Sequence, residues 1–375
     1  MQGINIRPRE LRRVDQPLDA RGAWQGAIAI LTFHRCINYG SYWQARCLAE
    51  GMAAATGAPV RILDHASRGV EIKEWRCALR PELTSPGDRK AHAGRIRAFA
   101  RARGALPLGR RFELSRPETA GRHGTVVVGS DEVWNFRHPW YAASTPFFGE
   151  GVAADRLVAY AASFGNHDAA DGIHPEYCAR LRRFAAISVR DRNSARLIRE
   201  ALGIKPEMVL DPCLLFPDCI DAGEPDEEPG LILYGHDFPG WIVEQVRGFA
   251  KARGLRIVSL GYHNWWADEQ RLAAGPEAFG RMMAGAAAVV TNFFHGCVFS
   301  LVFGRPFATA PSDYRFNKIR DLADLLGAEH RIVGPRDGAA VYARLLSEPV
   351  PHGVEARIAS LRRASSDYLR AALAA

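Results

Sequence analysis

The sequence has no long hydrophobic run. The nearest approach, 284–290, falls far short of the roughly 18 apolar residues of a membrane-spanning helix. Residues 1–22, MQGINIRPRELRRVDQPLDARG, have no apolar centre of the kind that marks a secretory signal. Cysteine is unpatterned: Cys36, Cys47, Cys77, Cys178, Cys213, Cys219 and Cys297 are odd in number, scattered, and contain no C-x-x-C pair. Neither a disulfide framework nor a metal site is therefore expected. These absences predict reduced thiols and a cytoplasmic protein. Acids are scarce in one place, 89–123, where ten Lys or Arg face only Glu113 and Glu118; the local surplus equals the whole chain's net charge of +8. Such a segment suits an anionic substrate or the inner face of an anionic membrane, and it reads equally as a solvated basic helix. It lacks the aromatic interleaving of a single-strand binder, so no nucleic-acid partner is expected.

What is present is enough apolar material for two cores: 375 residues, 47% hydrophobic and 24% charged, where single cores stop growing near roughly 250 to 300 residues. Short β-branched runs alternate with amphipathic stretches. Strands are expected at 27–32, 60–63, 126–128, 157–161, 187–189 and 208–210, with helices near 41–55, 88–103, 174–185 and 192–202. The segment 217–229 then interrupts the pattern with three prolines and six acids, and reads as a linker. Strands at 231–234, 256–260, 288–291 and 307–309, with helices at 240–253, 276–285, 296–303 and 317–326, restart it. The expected fold class is α/β with parallel sheets in two Rossmann-like domains. The first is 1–216, which carries the basic segment, and the second 230–350. A final helix within 351–375 is placed to cross back onto the first.

In open α/β sheets ligands bind outside the carboxyl ends of the strands, and four such positions carry chemistry. After the first strand, Asn38, Tyr39, Gly40 and Ser41 open a helix, either as a plain capped turn or as an anion site. After 126–128, Ser130 and Asp131 are placed to face the crevice. Arg190 follows 187–189, suited to bidentate phosphate or carboxylate binding, or to a surface pair with Asp191. After 288–291 come Asn292, His295 and Gly296, where the histidine is either a proton donor near a ligand or a hydrogen-bonded structural group.

Five stretches together change the weight of these alternatives: ILTFHRCINYGSYWQARCL at 30–48, VVVGSDEVWN at 126–135 with YAASFG at 160–165, ISVRDRNSARLI at 187–198, MVLDPCLLF at 208–216, and TNFFHGCVFSLVFGRPF at 291–307. In order and spacing they resemble the polysaccharide pyruvyl transferase family. The resemblance implies a fold similar to the GT-B glycosyltransferases, with two domains facing a cleft. It also implies phosphoenolpyruvate as donor and a saccharide or lipid-linked glycan as acceptor, the pyruvyl group being attached as a ketal. Arg190 and His295 match the family's donor-contacting arginine and histidine. Two positions depart from the family pattern: Phe293-Phe294 stands where some members carry Arg-Leu, and Glu132 where close relatives usually carry Gln. A donor with a carboxylate and a phosphate calls for cations and oriented N–H groups, which Arg190, Lys318 and the helix start at 38–41 supply. His295 is then the expected general acid and Asp131 the group that activates the acceptor hydroxyl, with no metal or cofactor required. The competing readings are a GT-B transferase using a nucleotide sugar, and a repurposed relative that modifies a different small acceptor.

Overall fold

The computed structural model describes residues 24–79, 85–223 and 230–374. The strand Trp24–Leu31 lies second in a six-stranded sheet, in the order Val60–Ile62, Trp24–Leu31, Arg122–Asp131, Ala153–Ala162, Ala186–Val189, Glu207–Met208. A five-stranded sheet follows the acidic segment, in the order Glu269–Arg271, Ile257–Leu260, Leu231–Tyr234, Ala288–Thr291, Phe307–Thr309. Every strand pair in both sheets is parallel. Parallel strands are covered on both faces, and so they read as continuous apolar runs rather than alternating ones. Val126, Val127 and Val128 are accordingly sealed from solvent, as are Val289 and Val290 in the second sheet. Of the acidic segment, Pro217–Cys219 forms a single turn and 224–229 lie outside the described residues.

The two sheets are joined by one continuous core. Its keystone is the helix Tyr39–Thr56, which belongs to the first sheet by sequence yet packs on the second. Trp43 Nε1 donates to Pro276 O at 3.0 Å, Tyr39 Oη donates to Ala274 O at 2.8 Å, and the Tyr39 ring stacks on Phe279 at 4.4 Å. The helix His352–Leu373 returns to the first sheet. There Ser365 Oγ accepts from Leu210 N at 2.9 Å, and Tyr368 Oη donates to Ala159 O at 2.7 Å. Among the described residues no helix is long and apolar enough to cross a membrane.

The basic segment is less uniform than its composition implies. It begins with the helix Arg89–Arg103, whose buried face is His92, Arg95, Phe99 and Ala102. Arg95 points inward, donating to the Gly261 carbonyl and lying 5.4 Å from the Tyr262 ring centroid, so it fastens this helix to the second sheet. Arg97 and Arg101 face solvent. A further helix, Arg68–Leu79, has no counterpart in the expected pattern. It buries Val70, Glu74 and Ala78 while exposing Ile72, Trp75 and Leu79.

Candidate active site

The carboxyl ends of both sheets border a cleft of about 330 Å³. Of the expected site residues, Asn38, Ser41, Asp131, Arg190, His295 and Lys318 line it. Arg190 leaves the strand Ala186–Val189 and is buried. Its Nη1 donates to Asp211 Oδ2 at 2.9 Å and Gln44 Oε1 at 3.0 Å, and its Nη2 donates to Asp131 Oδ1 at 3.0 Å. The guanidinium also lies 4.8 Å from the centroid of the Phe294 ring. The arginine is thus held by two carboxylates from its own half and capped by an aromatic from the other.

His295 sits in the first turn of the helix Phe294–Val302. Its ring lies flat against Gly40, where an added Cβ would come 1.9 Å from Nδ1. The absence of a Cβ at Gly40 is what allows this close approach. His295 Nε2 stops 3.6 Å from Asp211 Oδ2, beyond hydrogen-bond reach, and is buried with no partner among the described residues. Asp211 thereby joins Arg190 to His295 across the cleft. This aspartate was not singled out from the sequence, although it stands in the MVLDPCLLF stretch. It caps the short helix Pro212–Leu215, accepting from Cys213 N at 3.0 Å. Burial pushes its carboxyl up, but His295 and Arg190 outweigh that and hold it below the usual range.

Asp131, the residue expected to activate the acceptor hydroxyl, lines the cleft beside Arg190. Burial raises its carboxyl, yet Arg190 and His295 bring it down to about 2. Its oxygens are also occupied by Ser41 Oγ at 2.9 Å and its neighbour Glu132 N at 2.8 Å. The carboxylate so held anchors Arg190. Glu132, where the family pattern has Gln, pairs closely with Lys318 Nζ. That pair crosses from the end of the first sheet to the helix Asp313–Leu326 of the second half.

Five other expected residues do not line the cleft. Tyr39 is a core ring, and Gly40 supports His295. Ser130 is buried, donating to Gln44 Oε1 at 3.0 Å. Asn292 donates to His236 O at 2.6 Å. Gly296 lies so close to Thr291 that a Cβ would meet its Oγ1 at 2.0 Å. At the start of helix 39–56, Asn38 Oδ1 accepts from Ser41 N at 3.1 Å, the capped-turn alternative.

The residue that periodicity did not reveal is Glu74, on the helix Arg68–Leu79. It lines the cleft with Cys36 and Ile37, and burial raises its carboxyl to about 7 against Cys36, the Ile37 amide and Arg103, which lower it. The opposite wall is aromatic, with Phe293 4.9 Å from Tyr234 and 5.0 Å from Tyr262 between ring centroids. Three atoms with metal-binding chemistry also gather here, from Asp211, Cys213 and His295, within 4.8 Å of one another. Arg190 already occupies the same Asp211 oxygen, and burial pushes the Cys213 thiol well up. The set therefore fits a cation poorly.

A family model described as polysaccharide pyruvyl transferase matches residues 38–314. No curated protein matches the chain. Among solved structures, the chain is similar to a protein described as a UDP-N-acetylglucosamine 2-epimerase from Listeria monocytogenes, with 11% identity, 90% of this chain and 91% of that chain covered, and a TM-score of 0.50. Others are UDP-bound MnaA of S. aureus, at 10% identity, 85% and 86% coverage and TM-score 0.48, and the ADP-bound heptosyltransferase WaaC of E. coli, at 15%, 78% and 90%, and 0.40. At such identities the likeness to the Listeria protein is one of fold. That fold is the GT-B-like arrangement of two Rossmann-like halves facing a cleft.

Proposed function

The chain belongs to the polysaccharide pyruvyl transferase family, and from that premise we propose that this transferase moves the pyruvyl group of phosphoenolpyruvate onto two hydroxyls of a saccharide, as a ketal. The observation that carries the reading is the convergence of Arg190 from one half and His295 from the other on Asp211, in a cleft that both halves line.

In this scheme His295 gives a proton to the donor's methylene carbon, which becomes the methyl group. The acceptor oxygen then bonds to the adjacent carbon, and Glu74, ionised on demand near neutrality, takes the hydroxyl proton. Attack by the second hydroxyl completes the ketal as the bridging C–O bond to phosphorus-bound oxygen breaks. The second hydroxyl's proton leaves with the phosphate. Lys318 is the cation that the donor's phosphate would draw from Glu132, since its flexible stem carries a point charge. Arg190, held by its two aspartates where it lines the cleft, gives the donor carboxylate a positive charge to face. The acceptor in this reading is a free or lipid-linked saccharide at the cytoplasmic side, with the exposed Arg97 and Arg101 available to an anionic membrane.

The test is phosphate release from phosphoenolpyruvate in the presence of a panel of methyl glycosides, with the ketal product identified by mass. Release should depend on the glycoside, and His295→Ala should lower the rate by about 10² to 10⁴ while leaving donor binding in place. Wild-type turnover by His295→Ala would return this histidine to a structural role.

One observation favours a second reading. Arg190 and Lys318, the cations of the cleft, are both matched by carboxylates, and the Tyr234, Tyr262 and Phe293 wall offers ring faces instead. A nucleotide-sugar donor would use that wall. Thermal stabilisation by a nucleotide sugar, with none from phosphoenolpyruvate, would select this alternative.

A further inference from the structure

A second group of cations lies beside the cleft rather than in it. A second cavity, of about 180 Å³, opens between helices 39–56, 68–79 and 89–103 and shares Cys36, Ile37 and Glu74 with the cleft. Three arginines converge on it. Arg35 is committed to Asp64 at 2.9 Å and Glu71 at 3.0 Å. Arg111 reaches that same Glu71 at 3.3 Å. Arg103 makes no ion pair among the described residues; burial and the charges of Arg35 and Arg111 disfavour its own charge, and Asp64 and Glu71 offset them only in part, so that its ionisation is held below the ordinary range. Like charges crowded into a partly desolvated cavity are stabilised by an anion, and the guanidinium forks of arginine match phosphate oxygens. At the rim Trp75 leaves 54% of its surface exposed, a flat apolar face of the kind on which a sugar ring rests.

We propose that this side cavity binds a phosphate group carried by the acceptor, held by Arg103 and Arg111, so that the attached saccharide crosses Trp75 and reaches the cleft past Glu74. The assignment to the acceptor rests on the transferase reading above; the phosphate site itself does not. It explains why a helix exposes its tryptophan and buries its glutamate: one faces the incoming sugar and the other the reacting hydroxyl. It also gives Arg103 a task distinct from the basic residues that face solvent.

Calorimetric titration of the full chain at neutral pH, with inorganic pyrophosphate as the probe, tests the site. One pyrophosphate per chain should bind at a site that depends on Arg103. Arg103→Gln should weaken it about tenfold or more, as loss of a charge-assisted contact does, and Lys318→Ala should leave it unchanged. Arg111→Gln, at a residue whose side chain is 56% exposed, should give a smaller loss without disturbing the fold. Uridine diphosphate and geranyl diphosphate distinguish a nucleotide from a prenyl carrier: tighter binding of one names the carrier, and equal binding of both leaves the phosphate group as the recognised element. No pyrophosphate binding, binding that survives both arginine changes, or binding lost in Lys318→Ala overturns the proposal. So does loss of phosphoenolpyruvate binding in Arg103→Gln, which would make this the donor's site. If phosphoenolpyruvate binds no variant while pyrophosphate follows Arg103, the donor reading fails and the phosphate site stands.

Discussion

Glu74 shows how one residue's environment sets both chemistry and stability. Its carboxyl lies at about 7 in the fold against an ordinary value near 4.3 when the chain is unfolded. A raised folded-state value means that the native state holds the extra proton. The associated stability is complete below the unfolded value and is lost as pH rises through 7. Glu74→Gln keeps the shape and removes the titration. Its melting temperature should match the wild type near pH 4 and exceed it at pH 8, while transfer falls at both. A variant whose melting temperature follows the wild type across that range would show that Glu74 is not the titrating group. Asp131 runs the other way: held at about 2, it contributes stability above the ordinary carboxylate range and loses it only as pH falls toward 2. Gly40 carries a steric rather than an electrostatic duty. Gly40→Ala adds about 1 kcal/mol of helix propensity, yet its Cβ must displace the His295 ring. The expected outcome is a folded protein with turnover reduced toward that of His295→Ala; wild-type kinetics would show that the ring's seat is unimportant.

Among the elements, helix 39–56 bears the most weight because it is shared. Trp43 and Tyr39 pack into the second half, and the same helix also packs on the strands of the first. Trp43→Ala removes a fully buried indole and its bond to Pro276, at a cost of about 3–5 kcal/mol. Because both halves lose contacts together, thermal unfolding should remain a single transition at lower temperature. Two separated transitions would show that the halves fold independently of this helix. Helix 68–79 explains its own invisibility. An amphipathic helix is recognised by apolar residues on the buried face, whereas here Ile72, Trp75 and Leu79 face outward and Glu74 inward. With only Val70 and Ala78 apolar on the buried side, no helical stripe stands out. Helix 89–103 was legible because Phe99 and Ala102 keep the ordinary sense, but nothing in its charge pattern distinguished the inward Arg95 from the outward Arg97.

At the scale of the molecule, the cleft is closed by charge as well as by the shared core. The Glu132–Lys318 pair links the carboxyl end of an interior strand of the first sheet to a helix of the second half. Glu132→Gln, which restores the family's usual residue, leaves Lys318 without its carboxylate. Phosphoenolpyruvate should then bind more tightly, by about tenfold if the released charge makes one charge-assisted bond to phosphate, and calorimetry on the two proteins measures it. Unchanged or weaker binding would show that Lys318 does not serve the donor. The closing helix 352–373 belongs to the same scale, since its side chains complete the first half after the chain has built the second.

The amino-acid sequence determined the layered α/β fold, because buried parallel strands must be continuous apolar runs and the turns that end them must hold small or capping residues. It also determined that Arg190 and His295 follow strand ends, from which position both reach the cleft. What only the tertiary structure decided is the partner of each charge. Asp211 meets Arg190 and His295 through contacts between segments 21 and 84 positions away, and no local period encodes such a meeting. The same holds for Glu74, whose neighbours Cys36 and Arg103 come from other elements. A side chain's burial and charge partners are properties of the assembled core, so one carboxyl is held low at position 131 and another raised at position 74 only once the chain has folded around them.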